Sequence, residues 1–227
     1  METAVKILTG INDEEKGAYL AAIASIATAD TQASAVEIEH LTHLCEAADL
    51  SASQQALVLQ AAASTSEQNL VKSLDILKGS ELKYSLLTDL FAFAKSDGNY
   101  SEAEQQSVQK IATYLGIDQT QYGLLGELAE KANASGASAE EAGRPDFLSS
   151  LGLGDKLKAS GINGGGLLKG LVSIAAPIII SKMMNRNGRA NSGGGLLGGR
   201  GLGSLISILS GGKGMSGAGG LISKIFR

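Results

Sequence analysis

Four carboxylates fall into register when the chain is slid along itself by 67 positions, which lays TADTQASAVE over KSDGNYSEAE. Asp30 then meets Asp97 and Glu37 meets Glu104, with Ser34 over Ser101 between them. Each copy puts two acidic side chains at a helix terminus. All four would converge if a symmetry axis ran between the two loops, and an all-oxygen set of that kind suits Ca²⁺ or Mg²⁺. A second reading needs no ion: Ser34-x-x-Glu37 and Ser101-x-x-Glu104 are capping boxes, which satisfy the unpaired amides of a helix start by local geometry alone.

Other chemistries are poorly supplied. Asp97, Asn99 and Ser101 imitate the first ligands of an EF-hand, but its required glycine is Glu102 and its closing glutamate is Val108. Glu37-x-x-His40 has the spacing of a helical di-iron pair, yet its counterpart reads Glu104-x-x-Ser107. His40 and His43 are expected as partly exposed helix residues. Cys45, the single cysteine, reads as a small core residue. The glycine triplets lack the lysine and serine that end a phosphate loop. No nucleophile with a base can be assembled, so the chain reads as non-enzymatic.

The elements that must position these residues are helices. Apolar residues recur at intervals of three and four, and no stretch alternates with the period of a strand. Seven segments follow from the caps. Asn12-x-x-Glu15 opens one with Tyr19, Ile23 and Ile26 on its face, and Ser34-x-x-Glu37 opens one with Val36, Leu41 and Leu44. The next two start after Ser51 and at Thr65-x-x-Gln68. A fifth, from Ser80, is the most apolar and should sit centrally. The last two start at Ser101-x-x-Glu104 and after Asp118. Residues 12–132 are expected to fold alone as an all-α, seven-helix bundle with an internal pseudo-two-fold repeat.

A helix ending in Ala-x-x-Asp, a tight loop and Ser-x-x-Glu opening the next helix resembles the signature of the TerB family, tied to tellurite resistance. KSDGNYSEAE is the closer copy; TADTQASAVE has Thr31 where the other has glycine. The resemblance covers about residues 12–132. It implies an all-helical fold, acidic helix-loop junctions that take a metal cation, a role in stress responses and no established enzymatic activity.

Beyond that region the composition changes. Nine of the 30 glycines precede Ser149 and 21 follow it. Residues 1–147 carry 22 acidic against nine basic side chains, and residues 148–227 carry ten basic ones against Asp155 alone, a division of −13 and +9. The organisation expected is a helical domain over 1–135, a linker over 136–149 and a basic, glycine-rich tail over 150–227.

The tail repeats short islands of leucine and isoleucine in glycine, as in GGGLLKG, GGGLLGG, GLGSLISILSGG and GGLISKIF. Such islands cannot offset their own chain entropy, yet they are too apolar for a solvated spacer. Burial is expected for Leu167, Leu168, Ile174, Ile178, Leu196, Leu205, Ile208, Ile222 and Ile225, against a protein partner, another copy, or an anionic membrane surface. Nucleic acid is disfavoured, because only Phe147 and Phe226 are available to stack on bases beside Lys182, Arg186, Arg189 and Arg200. The unpaired cysteine and the unremarkable start of the chain point to the cytoplasm, including the inner face of the membrane. The function expected is interaction and assembly, with a peripheral, metal-binding, tellurite-type stress protein as the alternative.

Overall fold

A computed structural model describes residues 6–28, 33–64, 66–94, 101–135, 137, 141, 144, 146–171 and 218–226, the side chains of 103 and 218–220 excepted. These residues hold eleven helices and no strand. Seven form the bundle: α1 (Asp13–Ala27), α2 (Ala35–Ala47), α3 (Ala52–Ala63), α4 (Glu67–Lys78), α5 (Leu82–Ala94), α6 (Glu102–Tyr114) and α7 (Gln119–Ser135). Four more, α8 (Phe147–Ser150), α9 (Gly154–Ala159), α10 (Gly164–Gly170) and α11 (Ala218–Ile225), come from the glycine-rich region and its approach.

The repeat is visible in the backbone at bond level. α2 ends with Asp49 at φ 55° and α6 ends with Gly116 at φ 71°, 67 positions on. In both, the next amide turns back on the helix, Leu50 to the Cys45 carbonyl and Ile117 to the Ala112 carbonyl. Left-handed residues at this point release the chain from a helix while satisfying its last carbonyls. The next helix start repeats as well: Ser51 Oγ accepts from the Gln54 amide, and Asp118 Oδ1 from the Gln121 amide. One difference from the sequence expectation lies at α4, which starts after Ser66 without a side-chain cap.

Two central helices organise the core. α1 packs on α3 and α4, and α5 packs on α7. Every residue of α5 but Lys83 is buried, as its run of leucine and phenylalanine requires. Val36, placed on an apolar face by its spacing, stands 58% exposed, and Leu57 on α3 stands 51% exposed. Neither faces the core, because the buried side of α2 runs through His40, Leu41, Leu44 and Cys45 and that of α3 through Val58, Ala61 and Ala62.

The C-terminal helices are part of this core. α10 lies on α5 as α4 lies on α1, so a glycine-rich segment covers the second half of the repeat where α4 covers the first. Gly170 makes the contact close: a Cβ there would stand 2.7 Å from Ser85 Cβ and 2.8 Å from Leu82 Cδ2. Ser85 Oγ also donates to the Leu167 carbonyl at 3.0 Å. Gly170→Ala is therefore expected to destabilise the protein by about 1–3 kcal/mol through overpacking, against the about 1 kcal/mol that alanine gains over glycine in a helix. Urea denaturation of the two chains measures the balance.

Candidate functional site

Glu37 and Glu104 sit where their spacing places them, on the first turns of α2 and α6. Glu37 Oε2 accepts from the Ser34 amide, and Ser34 Oγ accepts from the Glu37 amide at 3.3 Å. Glu104 Oε2 accepts from both the amide and the hydroxyl of Ser101, each at 2.8 Å. Both capping boxes are complete. Glu104 is buried and Glu37 half-buried, so the second copy is the more enclosed. Asp30 and Asp97 lie outside the described residues. Among the described residues, no three of histidine, cysteine, aspartate and glutamate gather closely enough to hold a metal ion.

His40 differs from the sequence expectation: it is 9% exposed, on the face of α2 that carries Leu41 and Leu44. Its Nδ1 is buried with no hydrogen-bond partner among the described residues. Burial pushes the imidazole pKa below 6.5, with His43 in the same direction and Glu39 and Glu37 opposing. The unfolded chain then binds the proton more readily, so this residue costs stability as pH falls below about 6.5. In His40→Gln, thermal melts are expected to lose that part of their decline between pH 6.5 and 5. Cys45 is 0% exposed, and burial lifts its thiol to about 12, which suits a core residue rather than a nucleophile.

Sequence spacing missed a buried polar pair. Tyr19 on α1 donates its hydroxyl to Asp89 Oδ2 on α5 at 2.5 Å, and both residues are 0% exposed. The pair ties the two central helices across 70 positions of sequence. A signal was present, since a lone carboxylate inside LKYSLLTDLFAFA must be paired if that helix is buried.

A further missed feature is the face that receives the C-terminal helices. Leu148, Leu153, Leu157, Ile162 and Leu167 join the main core, and Leu171 packs with Phe147, Ala92 and Ala132. Polar bonds fix the register: Gln121 donates to the Ser160 carbonyl and Lys131 to the Leu151 carbonyl, each at 2.9 Å. Glu127 receives Lys131 at 2.9 Å and Lys156 at 3.5 Å, and the Lys131 bond holds its carboxyl below the usual range. The opposite charges of the two regions thus meet there, but exposed ion pairs are worth about 0–1 kcal/mol each. Full burial of one leucine is worth about 1.5–3 kcal/mol, so apolar packing seats this segment and charge only orients it.

α11 occupies a different face, against α4 and α6 with an edge on α1. Leu221 and Ile222 are buried there, and the Phe226 ring stands 5.1 Å from that of Tyr114. Tyr114 in turn donates its hydroxyl to Asp75 of α4, linking the two walls.

The helices α1 to α7, their repeat and their paired capping boxes form a unit that a family model recognises: tellurite resistance protein TerB matches residues 16–127. Residues 16–127 are a TerB domain. Comparison with curated proteins and with solved structures gave no match. The matched region runs from the first turn of α1 to Glu127 in α7, so α8 to α11 lie beyond it. They are additions to the TerB domain that complete its packing.

Proposed function

We propose that this protein is a non-enzymatic assembly module, in which the TerB domain docks and the glycine-rich segment anchors it to a larger complex. The observation that carries this reading is the seating of Leu153, Leu157, Leu167 and Ile222 in the bundle. Islands of this composition act as inserting segments, and helical faces act as their acceptors. Ile174, Ile178, Leu196, Leu205 and Ile208 belong to islands outside the described residues, and the same chemistry gives them an acceptor on a partner protein or another copy. The acidic balance of residues 1–147 supplies a surface for a basic partner. The buried, high-pKa Cys45 supports the non-enzymatic reading.

The alternative is a peripheral membrane protein that binds a divalent cation in a tellurite-type stress response. The TerB match supports the family link. In this reading the contact with lipid is interfacial, and among the described residues no helix is long and apolar enough to cross a membrane.

One experiment separates the readings. The purified full chain should form particles well above monomer mass without lipid, measured by light scattering, and changing those five residues to serine should return it to the monomer. Flotation with anionic liposomes and no lipid-free particles would favour the membrane reading. For the cation, a rise in melting temperature in millimolar Ca²⁺ or Mg²⁺ that Asp97→Asn abolishes would place an ion at the junctions, since a ligand bound only by the folded state stabilises it.

A further inference from the structure

We propose that the groove between α4 and α6 is an acceptor for the C-terminal helix of a second copy of this chain as well as for the chain's own. This rests on the assembly reading above and names one of its contacts. α11 spans eight residues, too few for a helix that is stable by itself, so its order comes from the seat. The seat is apolar: Leu221 and Ile222 are covered, Ile225 and Phe226 pack at its edge, and Lys224 stays exposed. Among the described residues, this contact is carried by residues 218–226 and by the groove. It would be the same whichever copy supplied each side.

Covalent connection does not choose between them. Residues 171–217 separate α10 from α11 by 47 positions, 12 of them glycine. A chain of that length reaches at most about 150 Å, several domain diameters. α10 is different, since α9 and α8 lead from it in short steps to α7. α11 is thus the helix that can move to a neighbour while the rest of the C-terminal packing stays in place. Because every copy both donates and accepts, two copies can exchange helices and keep all the contacts of the closed monomer. Among the described residues, a shallow depression of about 510 Å³ lies beside Phe226 on the α6 side, lined by Gln106, Gln109, Lys110, Thr113 and Tyr114. Competition with the tethered helix sets the scale, and exchange should grow as total protein approaches the millimolar range.

Single cysteines placed in separate chains test this directly. Thr113→Cys marks the groove and Phe226→Cys marks the helix; native Cys45 is buried and stays silent towards maleimides. Mixed full-length chains treated with a short bis-maleimide should give a covalent heterodimer whose yield rises with protein concentration. Adding Ile222→Asp to the Phe226→Cys chain should remove most of it. The double variant Thr113→Cys/Phe226→Cys should close within one chain at low concentration. Closure within the chain without any heterodimer up to millimolar protein would overturn the proposal, and so would failure of the double variant to close. Neither failure touches the assembly reading, whose particles depend on residues 172–217.

Discussion

Truncated after Ala139, the chain is expected to fold cooperatively but to melt well below the full protein, by roughly 6–20 °C. The truncation removes eight buried aliphatic side chains: Leu148, Leu153, Leu157, Ile162, Leu167, Leu171, Leu221 and Ile222. Each is worth about 1.5–3 kcal/mol by transfer, and the ordering of the segments that carry them offsets most of that sum. A net loss on the order of 3–5 kcal/mol remains, at about 2–4 °C per kcal/mol for a chain of this size. The truncated domain should also bind a hydrophobic dye, because the α5 surface beneath α10 and the groove beneath α11 become exposed. Equal melting temperatures and no dye binding would show that the C-terminal helices do not complete the core. The seven-helix region expected from the sequence to fold alone is, in the structure, covered on two faces by the C-terminal helices.

Asp89→Ala should be the most damaging single substitution among the polar residues, at about 3–5 kcal/mol by urea denaturation. It opens a cavity in α5 and removes the Asp89 acceptor of the Tyr19 hydroxyl at a fully buried position. Tyr19→Phe removes only one of the bonds that hold Asp89 and should cost about 1.5–3 kcal/mol. The double substitution should cost less than the sum, because both single substitutions remove the same bond. Additive effects, or a loss below about 1 kcal/mol for Asp89→Ala, would mean that the pair is not a joint between the repeat halves.

Periodicity fixes the inward face of a helix but not the partner that face meets. Spacing placed Tyr19 and the α5 leucines on inward faces, and each is buried. It had nothing to say about which α5 residue would meet Tyr19. That contact joins residues 70 positions apart. It depends on the angle at which two helices cross, and no local pattern encodes that angle. His40 failed for a related reason. On α2 alone it borders the apolar stripe, and only the neighbouring helices decide whether water reaches that border.

The candidate site divides the same way. Ser34 with Glu37, and Ser101 with Glu104, are legible in the sequence because a capping box closes over four residues and needs no other part of the chain. The left-handed turns at Asp49 and Gly116 are equally local, and the 67-residue offset that aligns them is a property of the sequence alone. The glycine-rich region carried the opposite kind of information. Its islands stated that an apolar surface was required, since leucine and isoleucine set in glycine cannot bury one another. They did not state whose surface. For residues 147–171 and 218–226 the answer is the bundle itself, through a contact at Gly170 too close for a side chain and a groove walled by Tyr114. Sequence determined the helices, their caps, their repeat and the need for cover, because these follow from local hydrogen bonding and from periodicity. Tertiary structure decided which faces lacked cover and which segments supplied it, because burial is settled by residues distant in sequence that meet only once the helices have packed.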